Sequence, residues 1–332
     1  MKKIIAVLLV LVMCLSMVAC GAKAPEAAPE AKPLKVALCT PGPINDGAWS
    51  SIAYDAVMGA KEKYDIEVVY SENVQLTDME AVFTDYAAQG YELLIGHSYM
   101  FGDAALAVGE KYPNVKFAII DGTVGSENVA SYSLGMQDAH YIQGAVAAML
   151  TETNKVGMVA GLEGPAIIKC VEAYKLGAAS VNPDIEVMTA FTGSSDDIDK
   201  AKEAAMAMLD DGADIVSGGA NQANAGTFKA CDSKGALSFG ETTQRELSDS
   251  VILCNTSDIG GLLETAIKNV IDGTYEGGIH DIGMKDGVVY FSDFDAFSEE
   301  YPEEVVKAVS DLIEQIQKGE LVVPKIETLT QN

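Results

Sequence analysis

A chain of 332 residues with a formal net charge of −27 and 48% hydrophobic residues is long enough to bury two cores and too acidic to hold nucleic acid by charge. Its six cysteines and three histidines show no CxxC or HExxH spacing, no GxSxG elbow is present, and no dinucleotide-binding GxGxxG follows a strand. Enzymes, metal sites and cofactor chemistry therefore have no carrier in the sequence, and the expected class is a binding protein without metal or cofactor.

The chain opens with Lys2 and Lys3, then an apolar run from Ile4 to Ala19 broken only by Ser16. A charged start, a short apolar stretch and small residues at its end read as a secretory signal over 1–19. The run falls short of the roughly 20 residues that span a bilayer, and an uncleaved membrane anchor is the alternative reading. Cys20 directly after Ala19 resembles the lipobox of bacterial lipoproteins, which implies that Cys20 is lipidated. The Ala-Pro-Glu-Lys-rich stretch 20–33 has no apolar period and reads as a flexible tether. The expectation is a protein held at the membrane by lipid and facing outside the cytoplasm. Cys39, Cys170, Cys231 and Cys254 sit far apart within apolar segments and read as buried thiols, with a disulfide left open.

From Leu34 onward, short apolar runs alternate with helical patterns. Strands are predicted at 35–39, 66–70, 93–96 and 117–120, with helices over 48–64, 79–89 and 103–112. The alternation then repeats, with strands at 156–160, 185–191, 214–216 and 236–239 and helices over 165–179, 198–209 and 223–233. A strand at 251–254, a helix over 262–271 and a last helix over 302–317 follow. Near-continuous apolar strands separated by helices imply parallel sheets covered on both faces. The expected fold is α/β with two doubly wound lobes, one of 34–133 plus 257–290 and the other of 134–256 plus 291–325. The chain should pass between lobes near Ser133–Leu134, near 254–257 and near 289–294.

Such lobes place a ligand beyond the carboxyl ends of their strands. Asn45, Asp46 and Trp49 follow the first strand, and Tyr99 and Phe101 follow the third. Asp121 follows the fourth, while Asn221, Glu241, Asn255 and Asp258 follow strands of the second half. Carboxylates, amides and rings gather there without a basic residue, a lining suited to a neutral ligand rich in hydroxyl and amine groups. Several of these residues have ordinary structural uses too. Asn45 and Asp46 suit a helix cap, Trp49 a core position at a helix start, and Asp121 an Asp-Gly turn.

Five stretches occur in order: Asn45-Asp46-Gly47-Ala48-Trp49, Phe117-Ala118-Ile119-Ile120-Asp121-Gly122, Gly144-Ala145-Val146-Ala147-Ala148 ahead of Lys155-Val156-Gly157-Met158-Val159, Gly212-Ala213-Asp214-Ile215-Val216, and Ile271-Asp272-Gly273-Thr274-Tyr275 ahead of Gly283-Met284. Together they resemble the basic membrane protein (Bmp) family of substrate-binding lipoproteins that serve ABC importers, over nearly the whole chain from Leu34. The resemblance implies a type I periplasmic-binding-protein fold and a purine nucleoside stacked between aromatic rings in the cleft. It also implies closure of the lobes on the ligand and delivery to a permease. On that resemblance Trp49 is the stacking ring, Asn45 and Asp46 a polar pair on the ligand, and Asp121 a base-binding carboxylate. Tyr99 or Phe101 would cover another face of the ring. The second lobe departs from the family. Glu241 keeps one of two expected carboxylates and Thr243 replaces the other, while Asp258 stands where a lysine is expected. Purine binding is thus implied but ribose recognition is not, and a free base, a modified nucleoside or another neutral ring stays open. A sensor module with the same cleft, or a receptor for a neutral solute such as a sugar, is the alternative function.

Overall fold

The computed structural model describes residues 32–46 and 49–330, and the export signal and lipidated Cys20 expected above lie outside the described residues. The described residues from Leu34 onward belong to one compact unit. Among them, no helix is long and apolar enough to cross a membrane.

The first half of the chain supplies five of the first sheet's six strands and the helices between them: β1 (Leu34–Cys39), α1 (Trp49–Lys63), β2 (Ile66–Ser71), α2 (Met79–Ala88), β3 (Leu93–Gly96), α3 (Gly102–Lys111), β4 (Lys116–Ile120) and β5 (Val129–Leu134). The strands alternate their side chains between two buried faces, as a sheet covered on both sides requires. Val36, Leu38, Leu93, Ile95, Ala118 and Ile120 point to one core, and Ala37, Cys39, Leu94, Phe117 and Ile119 to the other. The second half supplies α4 (Gln137–Leu150), β6 (Lys155–Ala160), α5 (Pro165–Val181), β7 (Glu186–Phe191), α6 (Ile198–Asp210), β8 (Ile215–Gly219), α7 (Asn224–Lys234), β9 (Ser238–Glu241) and β10 (Val251–Ser257). The chain then adds α8 (Ile259–Ile271), β11 (Gly278–Ile282), β12 (Val289–Phe291), α9 (Phe294–Glu300) and α10 (Glu303–Gln317).

The first sheet runs β11-β5-β4-β3-β1-β2, with every pair parallel. The second is formed by β7-β6-β8 and β12-β10-β9, joined where Leu237 bridges Ile215 and Val216 N donates to Leu237 O at 3.0 Å. All its pairings are parallel except β10 with β12. The fold class is the expected one, two doubly wound parallel sheets. Strands β5, β11 and β12 and helices α4 and α9 were not among the predicted elements. In β5, Ser131 and Ser133 interrupt the apolar run, and α4 buries polar as well as apolar faces, so neither carries a clean period.

Each sheet places its first strand between its second and third, which opens a crevice beside that strand at the carboxyl edge. The chain passes between the sheets three times, and the three passages are tied together. Gly135 N donates to Ile282 O at 2.7 Å, and Asp258 N donates to Val288 O at 2.8 Å. Helix α8 follows the second passage and packs Leu262, Leu263 and Ala266 against Ala53, Val57 and Ala60 of α1. At the first passage the backbones nearly touch, since a Cβ on Gly135 would lie 2.7 Å from the Cα of Gly283. Gly135→Ala should therefore force the passages apart and cost roughly 1–3 kcal/mol in a urea melt. A melt unchanged from wild type would show that this junction has slack.

Candidate functional site

The strand ends of both sheets enclose a cleft of about 880 Å³. Asn45, Asp46, Trp49, Tyr99, Asp121, Asn221, Glu241 and Asn255 all line it, from both sheets. Two expected residues do not. Phe101 is fully buried in the first sheet's core, its ring 5.4 Å from that of Phe83, so it covers no ligand face. Asp258 is exposed and turns to its own helix, accepting Gly261 N at 2.8 Å as the N-cap of α8.

Asp46 caps α1 with both carboxylate oxygens, Oδ2 accepting Ser50 N at 2.9 Å and Oδ1 accepting Ser51 N at 3.0 Å. The cap aims the first turn of α1, and with it Trp49, at the cleft. His97 lies against the indole with ring centroids 4.2 Å apart and planes 23° from parallel. Trp49 Nε1 donates to His97 O, and His97 Nε2 pairs with Trp49 O, both at 2.9 Å. The histidine is completely buried, and desolvation pulls its pKa down to about 4, so it serves as a neutral backing plate. Trp49 itself stays half-buried. A large flat ring clamped from behind, at the edge of a cleft, suits stacking against a planar solute.

The cleft lining holds no lysine or arginine among the described residues, but a lysine lies just beneath it. Lys169, on α5 and 1% exposed, donates from Nζ to Asp121 Oδ1 at 3.0 Å and to Leu134 O at 2.7 Å. Burial pushes the Lys169 pKa down, yet the Asp121 carboxylate beside it, together with Cys170 and Glu327, outweighs that and the net shift is upward. Asp121 Oδ1 also accepts Leu134 N at 3.2 Å, and its backbone sits at a φ of 55°. The carboxylate is therefore oriented by a lysine 48 residues away, a partner that no local pattern announces.

Lobe-to-lobe contacts cross the cleft mouth. Gln222 Nε2 donates to Asp46 O at 2.6 Å. Tyr99 lies so close to Gly164 that a Cβ there would sit 2.7 Å from its hydroxyl. Behind the mouth, Gln244 knits the ends of β8 and β9. Its Oε1 accepts Glu241 N at 2.9 Å and Asn224 Nδ2 at 3.1 Å, while its Nε2 donates to Asn221 O at 3.1 Å. Gln222, Gln244 and Lys169 were not candidates from the sequence, and neither was His140, which lines the cleft on α4. Each is a polar residue inside an ordinary helical or turn pattern, and only its tertiary neighbours mark it out.

Glu241 has no hydrogen bond or cation on its carboxylate among the described residues, and desolvation by the surrounding protein pushes its pKa up to about 7 from the ordinary 4.5. A folded state that keeps a proton the unfolded chain gives up loses stability as pH rises from about 4.5 through 7. His97 and His140, both held near 4, act in the opposite sense, so stability from them is lost as pH falls from 6.5 toward 4. The Glu241 contribution is isolated by comparison with Glu241→Gln. That variant should gain about 1–3 kcal/mol over wild type between pH 5 and pH 8 in urea melts. A difference that stays flat with pH would mean the carboxylate is well solvated.

Two facing α/β lobes with a shared polar and aromatic cleft, joined by three hydrogen-bonded passages, define a two-lobed solute-binding protein. Residues 34–327 match the Bmp family model, described as ABC transporter substrate-binding protein PnrA-like, and the chain belongs to that family. A purine-binding protein of Brucella abortus is 27% identical over 296 residues, covering 87% of this chain and 82% of its own. A putative ABC transporter glucose-binding protein of Haloferax volcanii is 27% identical over 281 residues, covering 84% of this chain and 71% of its own. Among solved structures, an ABC transporter solute-binding protein from Aeropyrum pernix superposes with a TM-score of 0.75 at 25% identity, covering 88% of this chain and 94% of that one. As a substrate-binding protein of this family, the chain has a small solute as its ligand and an ABC permease as its partner, and it works outside the cytoplasm.

Proposed function

We propose that this protein is the receptor of an ABC importer for a purine nucleoside or purine base, anchored outside the cytoplasm through a lipid on Cys20. Its carrying observation is Trp49, a half-buried indole braced by His97, on a cleft whose apolar lining is interspersed with amides, hydroxyls and carboxylates. The cleft volume falls within the roughly 300–1,000 Å³ usual for small-molecule sites. A flat, uncharged, donor-bearing ring satisfies both the indole and the acceptors. The name of the Brucella relative supports the same solute class. The solute bridges the two lobes, and hinge motion at the three passages opens them for release to the permease.

The glucose-binding name of the Haloferax relative makes a sugar the competing solute, and a thermal-shift panel separates the two. Adenosine, inosine, guanosine, adenine and glucose are each added to the protein. A solute present at 100 times its dissociation constant stabilises the fold by roughly 2.7 kcal/mol. The expected result is a shift with one or more purines and none with glucose. Trp49→Ala should abolish the shift, and Trp49→Phe, which keeps a ring but not the indole N–H, should retain most of it. A shift with glucose alone sinks the purine reading.

A further inference from the structure

Two residues that line the cleft carry buried acceptors with no partner among the described residues: His140 Nε2 and Asn255 Oδ1. His140 and Asn255 are 3% and 0% exposed. The chemical identity of each free atom is fixed by backbone carbonyls, which can only accept hydrogen bonds.

His140 Nδ1 lies 2.9 Å from Met136 O, so this nitrogen carries the proton. Desolvation holds the ring's pKa near 4, so the imidazole is neutral and Nε2 is a bare lone pair. A longer chain of reasoning fixes Asn255. Gln143 Nε2 donates to Leu253 O at 3.3 Å and to Gly240 O at 3.4 Å, which turns Gln143 Oε1 toward Asn255. Asn255 must then offer its amino group to that oxygen, at 3.2 Å, and its own Oδ1 is left free. Glu241, the next residue after Gly240 on β9, adds a third acceptor whenever its carboxylate is ionised. A buried acceptor without a donor is costly, and a solute N–H or O–H removes that cost. A solute with a methyl group at the same place leaves the cost unrelieved.

On the purine reading above, we propose that His140 and Asn255 are specificity-determining residues that accept hydrogen bonds from N–H groups of the bound base. The pocket thereby selects bases with free N–H edges against their N-methylated counterparts. His140, on α4, and Asn255, on β10, approach from different elements, so the selection depends on two separate supports.

The test uses adenosine with N6,N6-dimethyladenosine, and inosine with 1-methylinosine, titrated calorimetrically into wild type, His140→Phe and Asn255→Leu. Phenylalanine fills much of the imidazole volume without its acceptor, so steric rejection of a methyl group persists in that variant while hydrogen-bond selection does not. Wild type should prefer the unmethylated member of at least one pair by tenfold or more. His140→Phe or Asn255→Leu should reduce that preference to within about threefold. A preference unchanged in both variants overturns the proposal.

A second measurement needs no variant that folds. The chain has three histidines, so 15N-imidazole labelling gives a resolvable spectrum. The bare Nε2 resonance of a cleft histidine should move upfield when the preferred nucleoside saturates the protein. Binding with every bare-nitrogen resonance unmoved removes His140 from the proposal. If none of the four nucleosides binds wild type, the purine reading itself fails and takes this proposal with it, a result distinct from binding without selection.

Discussion

The cleft rests on a buried charge pair. Lys169, on α5, and Asp121, just past β4, come from opposite sides of the cleft, and Lys169 is only 1% exposed. Desolvating two charges is costly, and the geometry offsets that cost only because each group has further partners: Leu134 O for the lysine, Leu134 N for the aspartate. Leu134 is the last residue of β5, at the point where the chain first leaves the first sheet. The pair thus sets the end of that strand, the carboxylate on the cleft wall and the helix that carries Cys170 along the cleft floor. Removing either charge alone would leave the other stranded, at a cost of about 3–5 kcal/mol.

Several polar groups around the cleft are anchored by main-chain atoms. Met136 O sets the histidine tautomer, Gly240 O and Leu253 O set the Gln143 amide, and Ser50 N and Ser51 N hold Asp46. Backbone positions are fixed by the sheets, so the site inherits their rigidity. A cleft built this way has its hydrogen-bonding pattern in place before any solute arrives, which lowers the entropic cost of binding.

Local pattern made most of the fold legible. Apolar runs such as Val36–Cys39 and Leu93–Ile95 have both faces buried, and that leaves a mark in four or five residues. Strand β5 escaped because Ser131 and Ser133 are buried through side-chain and main-chain contacts made in the folded state. Strand β12 has three residues and pairs antiparallel, too short a run to show a period. The site was legible in the same measure. Positions just beyond strand ends follow from topology, which brought Asn45, Trp49, Tyr99 and Glu241 into view. Phe101 follows a strand too, but the helix that starts at Gly102 turns its ring inward against Phe83. Lys169 and His140 lie within helices, where a lone lysine or histidine looks like solvent-facing surface until the partner helix and strand are known.

The contacts across the mouth bear on time as much as on affinity. Gln222 reaches from the second sheet to Asp46 O, and Tyr99 packs onto Gly164 from the first. If the lobes hinge as proposed, a solute that bridges them behind these contacts is held longer than its contacts with either lobe alone would hold it. A residence time set by the protein's own opening is one that a docked permease can shorten by prying the mouth apart, without competing for a single atom of the cargo.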